Sequence, residues 1–204
     1  MPAETELKYA PPADFSADRL FSLPEIAPHL GEIKEFAMKT DYLDTPFSDA
    51  KARGITLRRR FENGKSILYA KTSRLRSNEL SIRGEWSVES GDIANAAKIL
   101  CAVGAPTNEL VGLQLEVCGK VVFTRHEALL TLPAFSASLS YDEGTFGESV
   151  PFSEIELELV SGDTDELLRF GRDLSQKYNF SPEPSSKYAR AILHTTKQNF
   201  VEFP

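Results

Sequence analysis

The sequence predicts an α+β domain built on one large antiparallel sheet, and three observations predict it. Several short segments alternate with period two, carrying charge on one face and apolar residues on the other. Two of them flank Asn63-Gly64, a strong two-residue hairpin signal. Helical periodicity is confined to a middle stretch and the C-terminal part, so strand-rich segments flank a central helix.

Residues 4–10 read as the first strand, with Glu4, Glu6 and Lys8 on one face. Residues 15–30 are helical in part, with Ser16 and Asp18 as caps and Leu20, Phe21, Leu23 and Ile26 apolar. Residues 32–44 form a strand ending at the turn-like Asp44-Thr45-Pro46. In residues 55–61, Thr56, Arg58 and Arg60 share a face, and Ile55, Leu57, Arg59 and Phe61 take the other. The return strand, residues 66–72, aligns Ile67, Tyr69 and Lys71. Next, Arg83, Glu85, Ser87 and Glu89 lie opposite Trp86 and Val88. A helix is expected over residues 92–103, stopped at Gly104. Residues 121–132 place Arg125 and Glu127 beside Phe123. Residues 136–141 form a short strand, after which Asp142-Glu143-Gly144 reads as a turn or edge. Glu154-Ile155-Glu156-Leu157-Glu158 is a second carboxylate ladder. A helix then runs from Asp163 or Thr164 to Tyr178, with Thr164 as N-cap and Asp165 and Glu166 favourable in the first turn. A last short helix covers residues 186–195.

The chain has 204 residues, 41% hydrophobic and 26% charged, enough for one domain with a core. No window approaches the ~20 continuous apolar residues of a membrane span. No basic segment followed by an apolar run opens the chain, so a cytoplasmic location is expected. Cys101 and Cys118 fit no metal pattern and read as reduced, half-buried thiols. The net charge of −7 argues against a general nucleic-acid binder.

The basic residues nevertheless concentrate at Arg53, Arg58, Arg59, Arg60, Lys65, Lys71, Arg74, Arg76 and Arg83. Carboxylates mark the first strand and a late one. Charge thus sorts by sign along the chain, and a closed or nearly closed barrel would turn these faces inward, with helices on the apolar outside. Lys8, Arg58, Arg60, Lys71, Arg83, Arg125 and Lys187 would then supply positive charge for phosphate oxygens. Glu4, Glu6, Glu156 and Glu158 would supply hard oxygens for magnesium or manganese. Metal-assisted hydrolysis of a polyphosphate fits that set. Cross-strand salt bridges that only close a sheet fit it too.

These residues resemble a family pattern, that of the CYTH superfamily or triphosphate tunnel metalloenzymes, over nearly the whole chain. Glu4-x-Glu6-x-Lys8 is similar to the ExExK signature, and Tyr42-x-Asp44-Thr45-Pro46 to the strand end before the first basic strand. Leu57-Arg58-Arg59-Arg60 is similar to LRxR, and Lys71 to the TxK lysine with Tyr69 in place of threonine. Arg83-Gly84-Glu85-Trp86 resembles RxEY/W, Arg125 a lone arginine, and Asp142-Glu143-Gly144 a DxG turn. Residues 154–158 resemble the second ladder, and Ser186-Lys187-Tyr188 the closing SKY motif.

The resemblance implies a closed eight-stranded antiparallel barrel, a triphosphate tunnel with flanking helices, spanning residues 1–204 as a single CYTH domain. It implies that Glu4, Glu6, Glu156 and Glu158 bind Mg2+ or Mn2+, supported by Asp142 and Glu85, and that the seven basic residues bind phosphate. Lys8 or Lys187 is implied to assist water activation or the leaving group. Residues 156–164 resemble bacterial members that hydrolyse inorganic tripolyphosphate. Their helical, histidine-bearing CHAD domain is not expected here, with three histidines and an end at Pro204. The expected partner is tripolyphosphate or another triphosphate-bearing small molecule, and a homodimer is left open. Alternatives on the same scaffold are a class IV adenylyl cyclase, a thiamine triphosphatase, or a non-catalytic polyphosphate-binding module.

Outside the site, Arg59, Lys65, Arg74 and Arg76 read as surface charges, and Glu154 as lying near the strand start, short of the ions. His29, His126 and His194 receive no role, and Trp86 and the 13 phenylalanines read as outer-face core.

Overall fold

The structure is a computed structural model that describes residues 3–62, 64–72, 75–77 and 80–198, apart from the side chains of residues 3–4, 75–77, 80–83 and 195–198. In chain order it forms β1 (Ala3–Ala10), α1 (Ala17–Phe21), a 3-10 turn (Ala27–His29), β2 (Lys34–Asp44), α2 (Asp49–Ala52), β3 (Ile55–Glu62), β4 (Lys65–Thr72), β5 (Leu75–Ser77) and β6 (Leu80–Glu89). There follow α3 (Ala96–Ala102), a 3-10 turn (Asn108–Leu110), β7 (Glu116–Thr131), β8 (Phe135–Phe146), β9 (Val150–Gly162), α4 (Thr164–Tyr178), β10 (Ser181–Pro182) and α5 (Lys187–Gln198).

The strands make one large antiparallel sheet in the order β10-β1-β9-β8-β7-β2-β3-β4-β6-β5. β6 also pairs with β1, setting Glu4 opposite Arg83 and Glu6 opposite Ser81. Among the described residues, no helix is long and apolar enough to cross a membrane.

Strand alternation builds two cores on one face of the sheet. Leu7, Tyr9, Leu139, Ile155 and Leu157 pack with Leu20, Ile26 and, from α4, Leu167 and Leu174. Leu43, Leu57, Leu68 and Ala70 pack with Ala96, Ala97 and Leu100 of α3, and Trp86 joins them. Each buried leucine or isoleucine contributes about 1.5–3 kcal/mol. Gly171 allows α4 to approach β1, since a Cβ there would sit 2.5 Å from Leu7 Cδ1 and 2.6 Å from the Tyr9 hydroxyl.

A third core corrects the expectation that helices and phenylalanines stay on the apolar outside. Met38, Tyr42, Val121, Phe123 and Phe146 pack with Ala191 of α5, joined by Phe152 and Tyr188. Phe123 shares a strand face with Arg125, and Phe152 with Glu154, so α5 covers part of the charged face. Periodicity separates two faces but does not say what docks on each.

Further differences are local. β8 runs through Asp142-Glu143-Gly144 in register with β7, pairing Asp142 with Arg125 and Gly144 with Phe123, so this segment is no turn. Its glycine serves a close approach: a Cβ at Gly144 would lie 2.1 Å from the Val122 carbonyl oxygen. The N-cap of α4 is Asp163, not Thr164; its Oδ1 accepts from Asp165 N at 2.8 Å and Glu166 N at 3.2 Å. The middle helix starts at Ala96, because Asp92 accepts from the Asn95 backbone and side chain and holds a turn ahead of it. Ser16 caps α1 as expected.

Candidate functional site

The opposite, charged face encloses a cavity of about 160 Å3. Alternate strand residues line it: Glu6 and Lys8 from β1, Tyr42 from β2, Thr56, Arg58 and Arg60 from β3, Tyr69 and Lys71 from β4. Glu85 comes from β6, Arg125 from β7, Glu156 and Glu158 from β9, and Ser186, Lys187 and Tyr188 from the start of α5. Ten residues singled out in the sequence are therefore brought together: Glu6, Lys8, Arg58, Arg60, Lys71, Glu85, Arg125, Glu156, Glu158 and Lys187. The backbones of Glu4 and Arg83 face each other across β1 and β6. Their side chains, that of Arg76 and the whole of Arg74 lie outside the described residues.

On the β8–β9 side, carboxylates meet cations. Asp142 is fully buried; Arg125 grips it with Nε to Oδ1 and Nη2 to Oδ2, both at 2.7 Å. Lys187 Nζ lies 2.8 Å from Asp142 and 2.9 Å from Glu156, and it also contacts Glu154. Glu156 further receives Arg125 Nη2 at 2.5 Å and Lys8 Nζ at 3.2 Å. Burial works against the charge of Asp142 and Glu156, but Lys187, with Arg125 beside both and Lys8 beside Glu156, outweighs it and holds both carboxyls below the ordinary range. For Glu154 burial prevails and pushes the carboxyl up, against the pull of Lys187 and Lys8. Burial opposes the Lys187 charge, but these three acids hold its ammonium well above the usual lysine range.

The opposite side is basic. Glu85 is shared by Lys71 at 2.9 Å and Arg58 at 3.5 Å. Arg60 is buried, hydrogen-bonded weakly to Thr40 Oγ1 at 3.4 Å, and lies near the Tyr69 and Phe123 rings at 5.7 and 5.9 Å. Among the described residues no carboxylate reaches it. Burial, then Arg58 and Arg125, push its guanidinium down to about 10.

Two acidic groupings suit a hard divalent cation. Asp142, Glu154 and Glu156 offer oxygens within 4.8 Å of one another, but Lys187 and Arg125 already engage that cluster. Glu6 and Glu158 stand directly opposite in the β1–β9 ladder, with the Lys8 ammonium 3.6 Å from Glu6.

The sequence reading set Glu154 aside as too near the strand start. It lies well inside β9, fully buried, and ion-pairs with Lys187 and Arg190. Arg190 was missed, although it sits one turn after Lys187 on the same helix face. Of the surface charges, Arg59 pairs with Asp41 at 2.6 Å and Lys65 with Glu89 at 2.8 Å. His194 stacks on Phe146, and Trp86 packs on the α3 core.

No curated protein sequence matches the chain. Solved structures resemble it at low identity. HpAC1 from Hippeastrum, a candidate adenylyl cyclase described as having a dominant triphosphatase activity, is 21% identical, with TM-score 0.67 over 91% of this chain and 93% of that one. A candidate adenylate cyclase from Bacillus halodurans is 18% identical, with TM-score 0.56 over 99% and 100%. The PH1819 protein of Pyrococcus horikoshii OT3 is 20% identical, with TM-score 0.56 over 95% and 99%. These likenesses establish a shared fold. A family model of the CYTH domain matches residues 2–192. The chain belongs to the CYTH domain family.

Proposed function

We propose that this protein hydrolyses inorganic tripolyphosphate to pyrophosphate and orthophosphate inside a closed eight-stranded tunnel, with Mg2+ or Mn2+. The barrel reading rests on the path of pairings, which runs β1-β9-β8-β7-β2-β3-β4-β6 and returns to β1. The observation that carries the function is the basic wall: Arg58, Arg60 and Lys71 converge on one cavity, and Arg60 meets no carboxylate among the described residues. A polyphosphate supplies the charge such a wall needs.

Glu6 and Glu158, with Glu4, would hold the metal, and Asp142 and Glu85 would position arginines and lysines rather than bind it first. A bound divalent ion would polarise a phosphoryl oxygen and make its water more acidic. Arg58, Arg60, Lys71 and Arg83 bind the phosphate chain, so that positioning and electrostatics lower the barrier. Lys8, between Glu6 and Glu156, neutralises charge as the phosphoanhydride bond breaks. Lys187, tied to three carboxylates, organises that wall. The reading takes the chain as one domain acting in the cytoplasm on a small molecule, as monomer or homodimer. The triphosphatase activity described for HpAC1 agrees with it. A nucleotide substrate is the second reading, favoured by Tyr42, Tyr69 and Tyr188, which line the cavity and would offer rings to a base.

The test is product analysis with tripolyphosphate, ATP and thiamine triphosphate, each with magnesium or manganese. Orthophosphate plus pyrophosphate from tripolyphosphate, with little ATP turnover, is expected. Cyclic AMP plus pyrophosphate from ATP would replace this reading with a cyclase, and silence on all three would leave a binding module. Glu4→Gln with Glu6→Gln should abolish turnover and keep the fold; retained metal-dependent turnover would move the metal elsewhere.

A further inference from the structure

Two guanidiniums on the basic wall stand at one aromatic ring. Tyr69 lies directly opposite Arg58 in the β3–β4 ladder, and its ring centroid is 4.6 Å from the Arg58 guanidinium carbon. The Arg60 guanidinium carbon lies 5.7 Å from the same ring. Arg58 and Arg60 are alternate residues of β3, so their like charges point to the same side and repel. Arg58 has Glu85 at 3.5 Å as a counter-ion, whereas Arg60 has Thr40, Tyr69 and Phe123. The negative face of an aromatic ring attracts a cation without neutralising it. A carboxylate in the same place would bind the arginine and compete with any anionic ligand.

We propose that Tyr69 is a positioning residue of the anion site: its ring gathers the Arg58 and Arg60 guanidiniums and presents both, still cationic, to a polyphosphate. The ring lowers the cost of holding two arginines together before the ligand arrives, so its loss weakens binding through preorganisation rather than through a direct contact. The inference rests on the proposed polyphosphate reading of the cavity.

Tripolyphosphate binding is measured by calorimetry in excess EDTA, so that neither metal nor turnover enters. Tyr69→Leu is expected to bind about tenfold more weakly, the scale of a desolvated cation–π contact. Tyr69→Phe, which keeps the ring and loses the hydroxyl, is expected to restore binding. Should Tyr69→Leu fail to fold, Tyr69→Met carries the same comparison. Equal binding by the ringless variant and the wild type overturns the proposal, as does equal loss in Tyr69→Phe and the ringless variant. Arg58→Ala with Arg60→Ala is run in parallel. If that variant binds as the wild type does, the polyphosphate reading fails; if it binds weakly while Tyr69 variants do not, only the role of Tyr69 fails.

Discussion

On the β8–β9 wall, Asp142, Glu154 and Glu156 are each met by cations: Arg125 grips Asp142, Lys187 touches all three, and Arg190 and Lys8 take up what remains. Across the cavity, on the β3–β4 wall, Glu85 is divided between Arg58 and Lys71, and Arg60 rests among rings. The same residue types therefore do opposite work. One wall is internally neutralised and buried, which suits a scaffold. The other keeps positive charge in excess, which suits an anion. Charge alone does not mark a binding group; what counts is whether the protein has already compensated it.

The largest effect should come from breaking the neutralised wall. Lys187→Met leaves the fully buried Asp142 and Glu154 short of their shared cation. Losing one partner of a buried ionic network costs about 3–5 kcal/mol. Urea unfolding should show that loss, and an unchanged midpoint would mean that the acids are compensated without Lys187.

The basic wall should respond in the opposite sense. Arg58→Ala with Arg60→Ala should weaken tripolyphosphate binding by at least about 100-fold, given about 1.5–3 kcal/mol for each hydrogen bond to a charged group. The remaining affinity should depend less steeply on salt, since fewer charges are involved. Thermal stability should hold, because the change removes a repelling pair that burial already disfavours. A large fall in melting temperature would place these arginines with the scaffold.

The smallest effect belongs to an ion pair outside both walls, which serves as a solvent-exposed reference. Glu25 pairs with Lys177 and the Tyr178 hydroxyl, and these hydrogen bonds lower its carboxyl from 4.5 to about 2. A depressed carboxyl stabilises the folded state above its ordinary pKa, and that stability is lost as pH falls from 4.5 towards 2. Glu25→Gln should flatten this segment of the melting-temperature profile. The change should be small because water screens the pair, and an effect as large as that of Lys187→Met would undo the distinction between buried and exposed pairs.

Much of the site was legible because strand faces are a local property. Arg58, Arg60, Lys71, Glu85, Arg125, Glu156 and Glu158 were each assigned a face by period two, and all line the cavity. Asp142 was misread as part of a turn because Asp-Glu-Gly has turn chemistry; the glycine instead serves the close approach of Val122 and Phe123. Glu154 was set aside because the start of β9, four residues earlier at Val150, carries no clear signal. Phe146 and Phe152 were placed outside because hydrophobicity does not say which face a later helix will cover.

The sequence by itself determined the alternation, the order of acidic and basic strands, and the closing Ser186-Lys187-Tyr188 segment, since these depend on neighbours along the chain. Tertiary structure decided which acids are spent. Only the pairing of Asp142 with Arg125 across β7–β8, of Lys8 with Glu156 across β1–β9, and the docking of α5 over β7 bring each charge to its counter-ion. The reason is physical: compensation of a buried charge depends on contacts within a few ångströms, and those partners come from residues distant in sequence.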